Sequence, residues 1–294
     1  MTTEVVPEQS VLFRTVLWMS GGIVSFSAMA VAGRELSATH DTFEIMAFRS
    51  LVSMLIVFAA LSLTKSWSQV RRERLPQHML RNVAHFTGQN LWFWAIAVAP
   101  LAQVFALEFT SPLWAMVLAS VLLKDQIRRV QVVAALIGFA GILIVTRPGV
   151  GVWNIGIPLA AIAAFFFALT NVVTKSLTKV EGIGSILFWL TTLQLVFGVV
   201  AMGYDGVITW PTWQTAPWLV LVGICGLSAH FCLANALAIA PISVVTPIDF
   251  VRLPAIALVG MVLYNEAIDI WVITGAVVIF AGNYLNITAS RRSL

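Results

Sequence analysis

Apolar stretches long enough to cross a bilayer recur along almost the entire chain, at 12–33, 43–64, 79–98, 101–122, 129–146, 155–175, 185–204, 216–239, 242–263 and 270–288. A helix needs about 20 such residues to span a hydrocarbon core about 30 Å thick. Lipid offers the backbone no hydrogen bonds, so helices and closed barrels alone can cross it, and continuous apolar runs of this length read as helices. The expected fold is an all-α integral membrane protein with ten transmembrane helices. Composition agrees: 60% of the 294 residues are hydrophobic and 10% charged, with a mean hydropathy of +0.93. That leaves too little polar surface to keep such a chain in water, and no length for a second, soluble domain.

Ten crossings place both termini on one side of the membrane. Lys65, Arg71, Arg72, Arg74, Arg81, Lys124, Arg128, Arg129, Lys175, Lys179, Arg291 and Arg292 fall on that side, and Arg34 and Arg147 opposite. By the positive-inside rule both termini are expected to be cytoplasmic. These loop cations account for the net charge of +4, so no nucleic-acid partner is expected. Trp67, Trp153, Trp210, Trp213, Trp218 and Trp271 stand near expected helix ends, where indoles prefer the headgroup layer. A polar start containing Glu4, Pro7 and Glu8 is unlike a cleavable signal peptide. Cys225 and Cys232 lie seven residues apart on one helix, too far for an intrahelical disulfide.

The chain repeats itself at an offset of about 141 residues. Ala99-Pro100 falls on Ala240-Pro241, Phe109 on Phe250, Val121-Leu122 on Val262-Leu263, and Phe139-Ala140-Gly141 on Phe280-Ala281-Gly282. Glu108 falls opposite Asp249 and Asp125 opposite Glu266. The expected organisation is a tail at 1–11, one five-helix repeat at 12–147, a second at 153–288, and a tail at 289–294. Five crossings per half is an odd number, so the second half would be inverted relative to the first. Two inverted halves around a central cavity can open a midplane site to one face and then the other.

Ionisable groups within a bilayer cost at least about 2.5 kcal/mol each on insertion scales, so they normally face a cavity or a partner. Counting about 1.5 Å per residue places Arg49 and Glu108 about 10 Å below the outer surface, within reach of pairing. His85, His230, Asp249 and Arg252 fall in the cytoplasmic half, with Asp249 and Arg252 three apart on one helical face. Arg49, Glu108, Asp249 and Arg252 are therefore candidate gating or coupling charges. On the third apolar stretch Asn82, His85, Gln89 and Trp92 form one stripe, while Asn90 and Trp94 point elsewhere. The repeat sets Gln89 opposite His230 and Trp94 opposite Asn235. Candidate substrate-binding residues are thus His85, Gln89, Asn90, Trp92, Trp94, His230 and Asn235. Aromatic walls with a few amides suit an amino acid with a hydrophobic side chain. Pro112, Pro247 and Pro254 each remove a helical hydrogen bond and are candidate hinges. Ala134 and Gly138 form a small-residue pair of the kind that packs helices together, within the chain or in a homodimer.

Several chemistries lack their signatures. There is no HExxH helix, no Cys/His cluster at zinc spacing, no GxSxG turn and no phosphate-binding loop. No enzyme activity, metal or cofactor is expected, and a carrier built this way would draw on a gradient of solute or ion. A passive channel is the nearer rival, although no ring of like charges or filter-like sequence favours it.

Thr110-Ser111-Pro112, then Leu122-Leu123-Lys124-Asp125, Gly138-Phe139-Ala140-Gly141-Ile142-Leu143-Ile144 and Pro148, with Pro254, Glu266 and Phe280-Ala281-Gly282 in the second copy, resemble the drug/metabolite transporter superfamily of EamA type. Within it the chain looks like bacterial aromatic and neutral amino-acid exporters. Asp125 stands where the family usually has Glu, and the pair Asp249 and Arg252 before Pro254 is a further departure. The resemblance implies export of amino acids, aromatic and other hydrophobic ones favoured, across a bacterial inner membrane. Export of drugs or other small metabolites is the alternative it also allows.

Overall fold

The computed structural model describes residues 8–122, 129–147, 154–267 and 270–291. Trp153, Asp125 and Pro148, named above from the sequence, lie outside these residues, as does the side chain of Pro247. The described residues contain helices and no strand. The helices are α1 (Glu8–Leu36), α2 (Thr42–Leu63), α3 (Leu75–Val98), α4 (Leu101–Glu108), α5 (Ser111–Leu122), α6 (Arg129–Thr146), α7 (Gly156–Leu177), α8 (Ile183–Ala201), α9 (Ala216–Ile239), α10 (Ile242–Ile248), α11 (Arg252–Tyr264) and α12 (Ile270–Arg291). Six spans meet a length-and-hydropathy standard for crossing a membrane, with α4 and α5 counted together, and α6, α11 and α12 hold shorter apolar segments. At 24 residues, α3 is about 36 Å long. Its polarity keeps it out of that set, and it turns that polarity inward, burying His78, Arg81, Asn82, His85 and Gln89.

Two apolar stretches that the sequence presents as continuous are broken. The fourth is interrupted at Phe109 and Thr110, between α4 and α5, and the ninth by a 3-10 turn over Asp249–Val251, between α10 and α11. Pro112 and Pro254 explain the position of each break. A proline cannot donate to the carbonyl four residues back, but it is harmless in the first turn of a helix. The chain restarts its helix just before each proline instead of bending through it.

The strongest pairings join α6 to α12, α1 to α9, α3 to α7 and α2 to α8. Glycines allow the closest of these. A Cβ on Gly198 of α8 would stand 2.7 Å from the Ala47 Cα of α2, and one on Gly223 of α9 would stand 2.7 Å from the Val52 Cβ. Between α6 and α12, a Cβ on Gly141 would meet the Gly275 carbonyl oxygen at 2.8 Å, and one on Gly282 would meet that of Ala134 at 2.8 Å. The Ala134–Gly138 backbone thus packs against Gly282 of α12 within the same chain, while a Cβ on Gly138 itself would meet nothing within 4 Å.

Apolar side chains face outward over much of the surface, including Phe13, Leu63, Val121, Val200 and Val262, as expected where the surroundings are lipid. Trp67, Trp210, Trp213, Trp218 and Trp271 are also exposed. Local chemistry fixes the ends of the rods. Asp41 caps α2, accepting from the backbone N–H of Phe43 and Glu44 at 2.7 and 2.8 Å, while Glu44 accepts from the Asp41 N–H at 3.1 Å. Glu266 accepts the first N–H of α4, at Leu101, and pairs with Arg34 at 2.5 Å. Arg34 also stacks 4.4 Å above the Tyr264 ring. At another junction Lys175 donates to the Leu237 and Ala240 carbonyls at the end of α9, at 2.6 and 2.9 Å.

Candidate functional site

A cavity with about 720 Å³ of atom-free space, its mouth included, lies among α1, α3, α7 and α9 and the two helix breaks. Glu108 is the last residue of α4, Asp249 opens the 3-10 turn, and Arg252 opens α11, so both breaks deliver charged side chains to one place. The Arg252 guanidinium donates to Glu108 at 2.5 Å and to Asp249 at 2.7 Å. Trp92 Nε1 donates to the other Glu108 oxygen at 2.8 Å. Three aromatic rings surround the cation, Phe26 and Phe105 at 4.9 Å and Phe109 at 5.6 Å from Cζ. Arg252 is 2% exposed, so this charge sits in low dielectric, where hydrogen-bonded counterions and ring faces replace water.

The cavity wall also carries His85, Gln89 and His230. The two imidazoles meet edge to face with centroids 4.5 Å apart. Both ring nitrogens of His85, His230 Nε2, Gln89 Nε2 and Asp249 Oδ1 are buried without a hydrogen-bond partner in the protein. Buried polar atoms are rarely left this way in a finished core. Clustered around a cavity, they are groups ready to bond a polar guest.

The structure brings together much of what the sequence singled out. His85, Gln89, Trp92 and His230, the charges Glu108, Asp249 and Arg252, and Pro112 all border the cavity. Asn90 and Asn235 do not: each donates to the carbonyl four residues back in its own helix, Phe86 and Phe231, at 2.8 Å. Trp94 is half-exposed on the outer face of α3, so the stripe through His85 and Trp92 faces the cavity and the other does not. Pro254 is exposed in the first turn of α11.

The expected Arg49–Glu108 pair does not form, because Glu108 is held by Arg252 and Trp92. Counting depth along straight rods set Glu108 and Arg252 in opposite halves of the membrane. Both rods break at these residues, and their inner ends meet. Arg49 is buried instead beside α9, where its guanidinium fills the space left by Gly226.

Sequence reasoning missed Thr170 and Asn171 on α7 and Met19 and Met29 on α1, which also border the cavity. The signal for the first two was available, as the only amide and its neighbouring hydroxyl in the last third of the apolar run 155–175. The methionines gave none, since Met is an ordinary core filler.

Comparison with known proteins places these features in a family. Residues 13–147 and 154–288 each match the EamA-like transporter family. The chain is 24% identical over 277 residues to an S-adenosylmethionine uptake transporter of Rickettsia bellii, covering 94% of each chain. It is 28% identical over 221 residues to a riboflavin transporter of Vibrio cholerae, covering 73% of this chain and 72% of that one. It is 23% identical over 256 residues to a pseudopaline exporter of Pseudomonas aeruginosa, covering 87% and 89%. A protein crystal structure superimposes with a TM-score of 0.74 at 17% identity, over 95% of this chain and 98% of that one, which speaks to the fold alone. On these matches across both halves, the chain is a multi-pass membrane protein that belongs to the EamA-like transporter family.

Proposed function

We propose that the chain is a secondary transporter that carries an amino acid, with aromatic and other hydrophobic side chains favoured, through the central cavity by alternating access. The observation that carries this reading is Arg252, held between Glu108 and Asp249 where two broken helices meet in the cavity wall. Such an arrangement lets a zwitterion exchange partners with the protein: its ammonium takes a carboxylate from Arg252 and its apolar side chain packs on Phe26 or Trp92. Membrane carriers often build their sites from the ends of such broken helices.

The ten-crossing, inverted-repeat arrangement belongs to the same proposal. Its support is that cavity residues exchange at the 141-residue offset: Phe26 with Phe167, Gln89 with His230, Trp92 with Leu233, and Glu108 with Asp249. The helix pairings exchange too, α1 with α9 corresponding to α7 with α3. Gly141 and Gly282, which make the closest approaches between α6 and α12, are themselves equivalent. We place the protein in a bacterial inner membrane with both termini cytoplasmic, on the loop charges and the bacterial relatives. Export is the direction implied by the family resemblance, while the Rickettsia relative is named for uptake.

Transport of another small metabolite is a second reading, favoured by relatives named for S-adenosylmethionine and riboflavin. Both are tested by uptake of labelled phenylalanine, threonine, methionine, S-adenosylmethionine and riboflavin into liposomes holding the purified protein, with and without a pH gradient. The Asp249→Ala/Arg252→Ala double variant is run beside it. Saturable amino-acid uptake with counterflow, lost in the variant, supports the first reading. Uptake of the vitamin or the sulfonium compound alone transfers the function to the second, and unitary conductance sinks both.

A further inference from the structure

Two more guanidiniums lie buried near the cavity. Arg81 on α3 is 2% exposed and Arg49 on α2 is 3% exposed. Among the described residues neither lies within ion-pair distance of a carboxylate. Glu181, at the same end of α3 as Arg81, is engaged by His78 at 2.9 Å and by Ser185 at 2.7 Å. Arg81 Nε donates to Thr174 Oγ1 at 2.7 Å, and its Nη1 reaches Asn82 Oδ1 at only 3.5 Å. Arg49 has the Met46 sulfur at 3.6 Å. A guanidinium has five N–H donors, so most of the bonding capacity of both residues is uncommitted. Unpaired buried charge is among the most costly features a protein can retain, and such groups in a membrane interior usually serve a solute or ion.

Neither borders the cavity itself, but each packs one helical turn from residues that do. Arg81 lies one helical turn before His85, and its acceptor Thr174 lies one turn after Thr170; both His85 and Thr170 border the cavity. Arg49 packs against Gly226, one turn before His230, with its Nη2 3.0 Å from where a Cβ would stand. The two arginines therefore form a cationic layer behind the two histidines, where both ring nitrogens of His85 and Nε2 of His230 lack a partner. Both cations act electrostatically on both imidazoles. The same cavity is bordered by Glu108 and Asp249, two carboxylates sharing one guanidinium. The site thus combines two carboxylates at the helix breaks with two guanidiniums behind the histidines.

We propose that the wall at His85 and His230, backed by Arg49 and Arg81, is an anion subsite that takes the carboxylate of the transported solute. This rests on the cavity being the solute's binding site, and it narrows the solute to organic acids, amino acids included. The histidines supply hydrogen bonds, and the arginines supply the charge and enough flexible reach to close on the anion.

The test is calorimetric binding to the purified protein in detergent, with 3-phenylpropionate as probe and 3-phenylpropanamide as its neutral partner. Wild type is compared with Arg49→Gln, Arg81→Gln and Arg81→Lys. The carboxylate is expected to bind at least about tenfold more tightly than the amide. Each Gln variant should lose about tenfold or more for the carboxylate and little for the amide, with Arg81→Lys retaining part of the preference. Equal affinity for acid and amide, binding of neither, or an acid preference unchanged in both Gln variants overturns the subsite. If one Gln variant fails to fold the other decides, and if both fail the wild-type acid-to-amide ratio decides. A protein that binds the acid through these arginines yet carries no amino acid refutes the amino-acid reading and leaves the subsite standing. One that carries amino acids while its folded arginine variants bind them unchanged refutes the subsite alone.

Discussion

Replacing Arg252 by methionine should destabilise the protein through the two carboxylates it leaves behind. Glu108 and Asp249 bond the same nitrogen, so the bonded oxygens stand about 5 Å apart at most. Two unit charges at that distance repel by about 3 kcal/mol at an effective dielectric of about 20. This agrees with the roughly 3–5 kcal/mol usually lost when one partner is removed from a buried ion pair. At roughly 2 °C per kcal/mol for a large domain, the thermal midpoint in detergent should fall by about 6 °C. If repulsion is the cause, adding Glu108→Gln and Asp249→Asn to the same chain removes it, and the triple variant should recover most of the loss. Glu108→Gln alone keeps the Arg252–Asp249 bond and should cost less than Arg252→Met. Scanning fluorimetry of the purified variants reads all of these. A triple variant no more stable than Arg252→Met would show that Arg252 acts by filling space among Phe26, Phe105 and Phe109, and would refute the electrostatic reasoning.

Three further outcomes follow from other contacts. Trp92→Phe keeps a ring in the cavity wall but removes the N–H bonded to Glu108, and should cost about 1.5–3 kcal/mol in thermal stability. Gly198→Ala would drive a methyl group into the Ala47 backbone and should cost about 1–3 kcal/mol by overpacking, whereas Gly138→Ala, whose Cβ meets nothing within 4 Å, should be close to neutral in the same melt. Glu266→Gln weakens the Arg34 pair and the charge at the start of α4. With both side chains partly exposed, it should cost no more than about 1 kcal/mol.

The helices were legible because lipid imposes a length and an apolar composition on any crossing, and bounds such as 216–239 coincide with the observed α9. The α3 stripe was legible because polar residues on a helix among apolar neighbours face inward, and His85, Gln89 and Trp92 share one face. The partner of Glu108 was not legible, because periodicity says where a helix runs and not where two broken helices meet. Arg81 was assigned from the sequence to the cytoplasmic loop charges, yet it is buried against α7. Its position at the start of an apolar run fitted either reading, and only the packing of Thr174 against it decides.

The most direct test of the account is whether one cavity residue can be reached from both sides of the membrane. Asn171→Cys, on a background in which Cys225 and Cys232 are alanine, places a thiol at the cavity. Labelling by a membrane-impermeant maleimide is then measured in intact cells and in inside-out vesicles. Alternating access predicts labelling from both sides, slowed in each case by a transported solute. Labelling confined to one side, or unaffected by every solute the protein carries, would contradict it.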